Sequence, residues 1–345
     1  MKDGKLGFGL MGCGVAAGFH ANAIMSFDDM TLVGVCDAHR ESGETFAQKY
    51  GCTAFDSPEA LLACEDIDAV CICTPSGLHA EQALAALRAG KHVLCEKPLA
   101  VTAHDAALVA KAAEGAGLTV DTVAQLRLTE GVRQLKEALA KGRLGKVTLV
   151  QLDMVYHRSD EYYASAPWRG TRAMDGGGAL MNQGIHGMDL LLYLLGPVKR
   201  VQAAAATLVR PIETEDTAAA VLEFAHGALC TVAAATSVSP GAPRRLRVCG
   251  SEGCVTLTED AITEWAVAGR KAPIPTGSGY ASCDRPEAVP AEAHAGVLRD
   301  FADAVRAGRK PVSTAADGHN AVALIESIYR AAASGREQTP AYMEP

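Results

Sequence analysis

A glycine-rich turn near the start of the chain has the residue types that bind phosphate groups. The segment Gly9-Leu10-Met11-Gly12-Cys13-Gly14-Val15-Ala16-Ala17 follows an apolar run and leads into a helical pattern. In such a G-x-G-x-x-A turn the glycines let the backbone approach a pyrophosphate, and the helix N-terminus directs N–H groups toward it. The turn predicts a dinucleotide contact by Gly12, Gly14, Val15 and Ala16, with a purely structural tight turn as the alternative.

Asp37 closes the next strand pattern, at the separation where a carboxylate accepts hydrogen bonds from the adenosine ribose hydroxyls. A carboxylate in this place repels a 2′-phosphate, which favours NAD over NADP. His39 and Arg40 follow directly and weaken this inference, because Arg40 could turn to meet a phosphate. A solvated arginine in the first turn of a helix is the interpretation that we favour. The predicted cofactor is therefore NAD, with NADP as the alternative.

Two further motifs come at the carboxyl ends of predicted parallel strands, where ligands bind in open α/β sheets. They are Thr74-Pro75-Ser76-Gly77-Leu78-His79 and Cys95-Glu96-Lys97-Pro98. The lysine could hold a substrate oxygen and stabilise negative charge that develops on it. On the local sequence alone, a solvent-exposed lysine at a strand end is an equally good interpretation.

A predicted helix after the triple glycine Gly176-Gly177-Gly178 carries a polar stripe on an otherwise apolar surface. Asn182, His186, Asp189 and Tyr193 recur every three or four residues, a spacing that places them on one helix face. His186 could take a proton from a hydroxyl group, because imidazole titrates near neutral pH. A satisfied hydrogen-bond network beneath a sheet is the alternative.

The loop before this helix, Tyr156 to Gly170, is dense in aromatic rings and hydrogen-bond donors, which suit the recognition of a sugar. A lid or a subunit contact is the alternative for its tyrosines. The residues predicted to contact a substrate are Arg127, Tyr156, His157, Tyr163, Asn182 and His186.

These motifs are positioned by an alternation of short apolar runs and helical patterns, which is typical of βαβ units around a parallel sheet. The predicted strands are Lys5–Met11, Thr31–Asp37, Ala69–Thr74, Lys91–Glu96 and Leu118–Gln125. The predicted helices between them are Ala16–Ser26, Arg40–Tyr50, Gly77–Ala89 and His104–Ala116. Right-handed crossovers make this a doubly wound Rossmann domain.

After Arg127 the pattern changes to antiparallel strands. They are predicted at Val147–Tyr156, Val198–Leu208, Thr217–Phe224, Ala228–Ser237, Arg244–Cys249 and Cys254–Glu259, with helices at Glu130–Lys141, Val297–Ala307 and Gly318–Ser334. The segment Gly269–Ala291 is predicted to be a surface loop. The fold class is therefore α/β, with a dinucleotide-binding domain over residues 1–124. Residues 125–345 form a second α/β domain with a large open, mostly antiparallel sheet.

Composition excludes several classes of partner. The net charge of -8 is spread along the chain, and no basic stripe with interleaved aromatic residues indicates nucleic acid or an anionic membrane. No leader pattern and no apolar run of about 20 residues is present, so we expect a cytoplasmic protein. The eleven cysteines include no CxxC pair. Metal ligation by Cys71 and Cys73 is a weak alternative to apolar packing, and no metal site is predicted.

Together the glycine turn, the Glu96-Lys97-Pro98 motif, the segment Gly176–His186 and the late pattern Asp300-Phe301…Ala304…Gly308-Arg309…Pro311 resemble the Gfo/Idh/MocA oxidoreductase family over nearly the whole chain. The resemblance implies NAD(P)-linked hydride transfer on sugars, inositols or their derivatives. It also implies that Lys97 lies in the active site and that a cis peptide bond precedes Pro98.

The resemblance extends to several cofactor contacts. It places His79 beside the nicotinamide and directs Trp168 and Arg169 to the cofactor. Many members carry an aspartate where this chain has Asn182, and an amide cannot accept a proton. Substrate assignments made for those members therefore do not carry over. The predicted catalytic residues are Lys97, His186 and Asn182. The predicted cofactor contacts are Gly12, Gly14, Val15, Ala16, Asp37, Thr74, Pro75, His79, Glu96, Lys97, Gln125, Trp168 and Arg169.

The sequence thus predicts an NAD-dependent dehydrogenase or keto-sugar reductase acting on a secondary hydroxyl of a sugar, glycoside or cyclitol. Two alternatives use the same fold. One is an NAD-dependent glycosidase that oxidises its substrate transiently, and the other is a non-catalytic sensor of sugars or dinucleotides. A homodimer or homotetramer through the open sheet is expected, because large apolar faces are rarely left in water. His20 has no partner in any motif and is predicted to be a structural or surface residue.

Overall fold

Two compact units make up the protein, a computed structural model that describes residues 4–267, 269 and 291–344. The first unit contains Met1–Gln125, Ala291–His319 and Met343–Pro345, and the second contains Leu126–Pro290 and Asn320–Tyr342. The loop predicted for Gly269–Ala291 lies, apart from its two end residues, outside the described residues. Each unit is built around a sheet of its own.

The first unit is a doubly wound parallel sheet, which confirms the predicted fold. Its strands are β1 (Leu6–Met11), β2 (Met30–Cys36), β3 (Thr53–Ala54), β4 (Ala69–Ile72), β5 (His92–Cys95) and β6 (Val120–Thr122). The helices between them are α1 (Val15–Met25), α2 (Arg40–Tyr50), α3 (Pro58–Leu62), α4 (His79–Arg88) and α5 (Ala103–Ala116). The described strands lie in the order β3-β2-β1-β4-β5-β6, all parallel. The order reverses between β1 and β4, where such sheets bind ligands.

Continuous apolar runs explain why the central strands form. Every residue of β1 and β4 is buried, the pattern of parallel strands covered by helices on both faces. Val70 and Val93 of the sheet pack in one core with Leu99 and Val109. This rigid sheet holds the strand-end motifs in fixed positions.

The second unit is a mixed sheet. Its strands are β7 (Val147–Val155), β8 (Val198–Ala206), β9 (Thr217–Phe224), β10 (Leu229–Ala235), β11 (Arg245–Gly250), β12 (Gly253–Thr258) and β13 (Ala261–Val267), and its helices include α6 (Glu130–Ala140), α7 (Asp160–Ala164) and α8 (Ile185–Leu195). The order in the described chain is β13-β12-β11-β7-β10-β9-β8. The pair of β7 and β10 is parallel and the other pairs are antiparallel. The long segment between β7 and β10 allows this parallel pairing, which a hairpin does not.

One late helix belongs to the first unit, although the sequence analysis placed everything after residue 124 in the second. α9 (Ala291–Ala307) packs against α1, and Phe301 is fully buried with its ring centroid 6.2 Å from that of Phe8. Arg299 and Arg306 bind the carboxylate of Asp29 at 2.9 and 2.5 Å. The chain then continues as α10 (Ala315–Ser334). Among the described residues, the helices are too short or too polar to cross a membrane.

Candidate active site

The glycine turn after β1 forms an open cradle at the N-terminus of α1. Gly12 has a φ of +88°, and a Cβ atom there would lie 2.9 Å from the carbonyl oxygen of Cys73. At Gly14 a Cβ would meet nothing within 4 Å. The helix begins without a side-chain cap and without an acidic residue in its first turn. Its first N–H groups are therefore available to an anion, which fits a pyrophosphate.

Asp37, the predicted ribose ligand, is fixed beside this turn by two backbone groups. Its Oδ2 atom accepts a hydrogen bond from the N–H of Cys13 at 2.8 Å, and its Oδ1 atom accepts one from the N–H of His39 at 2.8 Å. A carboxylate has about four lone-pair sites. The group is therefore oriented and keeps acceptor capacity for ribose hydroxyls.

Arg40, the residue that could have served a 2′-phosphate, pairs with carboxylates instead. Its Nε atom lies 2.8 Å from Glu44, and its Nη1 atom lies 3.3 Å from Asp56. All three side chains are exposed, so the pairs are weak. The arrangement nevertheless agrees with the expected preference for NAD.

A buried histidine joins the two strand-end motifs. His79 Nδ1 lies 2.7 Å from the carbonyl oxygen of Pro98, and its Nε2 lies 2.8 Å from that of Thr74. Burial lowers the pKa of His79, and the two carbonyl acceptors oppose this shift. The Lys97–Pro98 peptide bond is cis, as the resemblance implies, and the Lys97 side chain is half-buried. Both ring nitrogens of His79 thus contact backbone carbonyls of the two motifs, which holds these motifs together, and the contact of His79 with the cofactor remains a prediction.

Glu96 and Gln125, two further predicted cofactor contacts, are buried at the carboxyl ends of β5 and β6. The Glu96 carboxylate contacts the ring of His20, with 2.9 Å between Oε1 and Nε2. The Oε1 atom of Gln125 has no hydrogen-bond partner within the described chain. A buried acceptor without a partner costs about 1–3 kcal/mol. Gln125 is therefore suited to receive an N–H group of a bound ligand, such as a carboxamide.

In the second unit, Asn182 lies in a π-helical turn, Ala179–Gly184, that leads into α8. Its Nδ2 atom donates to Oδ1 of Asp175, and its Oδ1 atom accepts from Nε2 of Gln183 at 2.8 Å. Asp175 is 1% exposed, and its Oδ2 atom accepts from the N–H of Gly170 at 2.8 Å. The amide is thus held in one orientation beside a buried carboxylate. π-Helical turns of this kind are common at functional sites.

Glu215 shapes the same turn and explains its glycines. A Cβ atom at Gly178 would lie 2.0 Å from the carbonyl oxygen of Glu215. The Glu215 carboxylate accepts from the N–H of Gly178 at 3.0 Å and from that of Leu180 at 2.8 Å. Burial raises the pKa of Glu215, and these backbone bonds oppose the shift. The side chain therefore caps the turn that carries Asn182.

Two residues of the polar stripe on α8, Asp189 and Tyr193, contact Arg127. Asp189 forms a buried double hydrogen bond with Arg127, at 2.9 Å from Nε and 2.5 Å from Nη2. The Tyr193 ring centroid lies 4.7 Å from the same guanidinium. His186, one turn earlier, is half-buried. Arg127 thus anchors α8 through Asp189, and its predicted contact with substrate remains a prediction.

Tyr162 organises the aromatic loop, although the sequence analysis did not select it. Its hydroxyl accepts from Nη1 of Arg169 at 2.5 Å and from Nε2 of Gln183 at 2.8 Å. The Arg169 guanidinium lies 4.2 Å from the Tyr162 ring centroid and 4.8 Å from that of Trp168. Contacts within the loop therefore order the Trp168–Arg169 pair, whose approach to the cofactor remains a prediction.

The remaining predicted substrate contacts differ in exposure. Tyr156 is 2% exposed, and burial raises its pKa. The Tyr163 hydroxyl lies 2.8 Å from Oγ1 of Thr236, and burial raises the pKa of Tyr163 to about 12. His157 is half-buried, with Nε2 3.3 Å from Nη2 of Arg210. The burial of Tyr156 favours a core role for it over a substrate contact, while Tyr163 and His157 stay partly accessible.

Comparison with known proteins identifies the family to which both parts of the chain belong. Residues 6–123 match the model of an oxidoreductase family with an NAD-binding Rossmann fold, and residues 132–256 match that of a GFO/IDH/MocA C-terminal domain. The 1,5-anhydro-D-fructose reductase of Ensifer adhaerens is 30% identical over 308 residues, which cover 88% of this chain and 90% of the relative. The chain belongs to the Gfo/Idh/MocA oxidoreductase family. The predicted family and its NAD-binding domain are thereby confirmed.

Two other proteins match this chain over almost their full length. The WlbA dehydrogenase of Bordetella pertussis, solved in complex with NADH and UDP-GlcNAcA, is 33% identical with a TM-score of 0.88, covering 99% of this chain and 100% of that one. The inositol 2-dehydrogenase of Rhizobium meliloti strain 1021 is 29% identical over 351 residues, covering 96% of this chain and 98% of the relative. The protein is accordingly an NAD-linked oxidoreductase.

Proposed function

We propose that the protein oxidises a secondary hydroxyl of a sugar, glycoside or cyclitol, or reduces the corresponding ketone, with NAD as the hydride carrier. The observation that carries this proposal is that the first unit has an uncapped glycine turn beside Asp37, while the second unit carries Asn182 and His186 on a π-helical turn and the helix that follows it. Relatives named as an inositol dehydrogenase, an anhydrofructose reductase and a dehydrogenase bound to UDP-GlcNAcA support a polyhydroxylated substrate.

Residues of this chain accept the proton of the reacting hydroxyl and stabilise the negative charge that develops on its oxygen. His186 accepts the proton of the reacting hydroxyl, because a neutral imidazole is a base near pH 7. Lys97 donates a hydrogen bond to the same oxygen and stabilises its developing negative charge. Gly12, Gly14 and Asp37 would hold NAD, which would supply the acceptor for the hydride of that carbon. In reduction the same groups act in reverse, with His186 returning the proton.

Asn182 has an orienting role in this scheme. Its oxygen is used by Gln183, and one amide hydrogen is used by Asp175. An amide group donates and accepts hydrogen bonds but does not take up a proton near neutral pH. Asn182 therefore binds substrate without moving a proton, which leaves the proton transfer to His186.

The open sheet of the second unit supports a homodimer or homotetramer. Val221 and Leu229 are 51% and 50% exposed, and Leu149, which pairs with Leu229 across the sheet, is 42% exposed. The opposite face packs on α8, since a Cβ atom at Gly187 would meet Leu152 at 3.3 Å. We propose that a second copy covers the exposed face.

The ten cysteines of the described chain are free thiols, which fits the reducing cytoplasm.

The test follows reduced-nicotinamide absorbance over inositols, free sugars, glycosides and nucleotide sugars, with NAD and with NADP. Lys97→Met and His186→Ala are run beside the wild type. NAD-dependent turnover that both substitutions abolish is the expected result. Binding of NADH without turnover of any compound overturns the proposal in favour of a sensor. Glycoside cleavage without net reduction of NAD overturns it in favour of a glycosidase.

A further inference from the structure

A buried trio of two histidines and a glutamate adjoins Lys97 in the first unit. His20 comes from α1, Glu96 follows β5, and His294 comes from α9, and these residues are 1%, 9% and 5% exposed. Glu96 Oε1 lies 2.9 Å from Nε2 of His20 and 3.4 Å from Nε2 of His294. Glu96 Oε2 accepts from the backbone N–H of Lys97 at 3.3 Å. One carboxylate therefore connects two helices to the peptide group of Lys97.

The unpartnered ring atoms indicate how the protons are placed. The Nδ1 atoms of His20 and His294 have no hydrogen-bond partner in the part of the chain that is described. A buried N–H without a partner is rarer and less favourable than a bare acceptor. Both rings are therefore placed with Nε2 toward Glu96 as the donor and Nδ1 as the bare acceptor. Burial alone would raise the pKa of Glu96, but the two imidazole hydrogen bonds outweigh it and hold that pKa well below its usual range.

Two imidazoles and a carboxylate are also a donor set for zinc, and these ligand atoms lie within 4.8 Å of one another. A metal-bound imidazole normally donates its second N–H to a carboxylate or carbonyl. Neither ring has such a partner among the described residues. The 2.9 Å contact from His20 to Glu96 is that of a hydrogen bond. The cluster is thus better explained by hydrogen bonds than by metal.

We propose that His20, Glu96 and His294 form a positioning trio that fixes the direction of Lys97. This inference rests on the proposed function, because it concerns the lysine assigned to the substrate oxygen. His294 is itself held by the Phe19 ring, which stacks on it with centroids 5.0 Å apart and an interplanar angle of 18°. α1 also begins at the pyrophosphate cradle, so the trio ties the helix of the cofactor turn to the lysine.

The test compares His20→Leu and His294→Leu with His20→Gln and His294→Gln, because a glutamine amide can replace the Nε2–H donor. Competitive acetylation with acetic anhydride, read by mass spectrometry, gives the reactivity of Lys97 relative to the exposed Lys49. We expect the leucine variants to change this ratio by about threefold or more, roughly 0.65 kcal/mol, and the glutamine variants to restore it. An unchanged ratio in folded leucine variants, or glutamine variants that behave like the leucine ones, overturns the proposal.

Turnover and metal content complete the test. The leucine variants should lose about tenfold in kcat, the scale expected for a lost supporting contact, with the KM for NAD nearly unchanged. A KM that rises while kcat stays constant overturns the positioning role of the trio. Zinc binding would also overturn it, if the wild type retains one zinc ion per chain after dialysis against zinc chloride and His294→Leu does not. If Lys97→Met keeps full turnover the proposed function fails, whereas the acetylation ratio still decides whether the trio positions the lysine.

Discussion

At the scale of single residues, Asp175 and Asn182 combine an amide donor with a carboxylate that orients it. Asp175 is buried and accepts from both Gly170 and Asn182. Loss of the Asp175 carboxylate removes a buried acceptor from these two donors. The pair therefore links the stability of the π-helical turn to the direction of the Asn182 amide.

Asp175→Ala should destabilise the protein by about 1–3 kcal/mol for each donor left unpaired. It should also lower kcat, because the Asn182 amide is no longer held. Urea denaturation and steady-state kinetics measure the two effects. Asp160→Ala is the control, since Asp160 is 71% exposed in its pair with Arg210, where such pairs contribute about 0–1 kcal/mol. Equal, small effects of the two substitutions would contradict this account.

His20 should make stability depend on pH. Burial lowers its pKa below the ordinary 6.5 in the folded protein, so the unfolded chain binds a proton that the folded chain does not. The stability that comes from the neutral ring is present above pH 6.5 and is lost as the pH falls below it, by at most about 1.4 kcal/mol per pH unit. Urea denaturation from about pH 8 to pH 5 should show a steeper loss for the wild type than for His20→Gln. Parallel curves would contradict the lowered pKa.

Residue-level prediction from the sequence is most direct where a motif is local. The glycine turn, Asp37 and the Lys97 motif are contiguous patterns with a known geometry, and the structure gives each a fitting environment. Glu96 and His294 come together only because α9 returns to the first unit, which no local pattern indicates. Asp175 lies before the predicted helix whose spacing selected Asn182, and its position directly before the triple glycine is a signal that could have indicated it.

At the scale of elements, two glycines of one turn should respond differently to the same change. Gly12→Ala must strain a φ of +88° and press a Cβ against Cys73, so it should lower both stability and NADH affinity. Gly14→Ala meets nothing within 4 Å in the protein and should keep the wild-type melting temperature. Its methyl group enters the space that we assign to the pyrophosphate, so NADH should bind more weakly. Unchanged NADH affinity in Gly14→Ala, measured by reduced-nicotinamide fluorescence, would place the phosphates elsewhere.

Prediction of strands and helices succeeded where the spacing of the apolar residues and the turn residues that flank them indicate the same boundaries. The expected strand Thr31–Asp37 is Met30–Cys36 in the structure, and the helix Arg40–Tyr50 has the predicted bounds. β13 was missed, because its turn at Glu259 and Asp260 lacks the Asn-Gly or Gly-Gly signal of a short hairpin. Glu259 adopts a φ of 51° there and stays in place through a buried pair with Arg244 at 3.1 Å. Tertiary contacts thus stabilise a hairpin turn that the local sequence does not indicate.

At the scale of the whole molecule, the exposed sheet face should control assembly. Leu229→Lys places a charge at a residue that is 50% exposed in one chain and would be covered in a dimer. Sedimentation velocity should show a shift toward monomer, while circular dichroism stays unchanged. Leu108→Lys, at a residue of α5 that is 42% exposed, is the matched control and should not alter assembly. A wild type that is already monomeric would contradict the proposed interface.

The central claim is hydride transfer between NAD and a carbinol carbon, and deuterium transfer tests it most directly. NADH with deuterium at both hydrogen positions of nicotinamide C4 is incubated with the ketone of the compound that turns over, and the product is analysed by mass spectrometry and NMR. We predict one deuterium at the new secondary carbinol carbon and loss of this product in Lys97→Met and His186→Ala. A product without deuterium, or label that returns to the cofactor while a glycosidic bond is cleaved, would contradict the account.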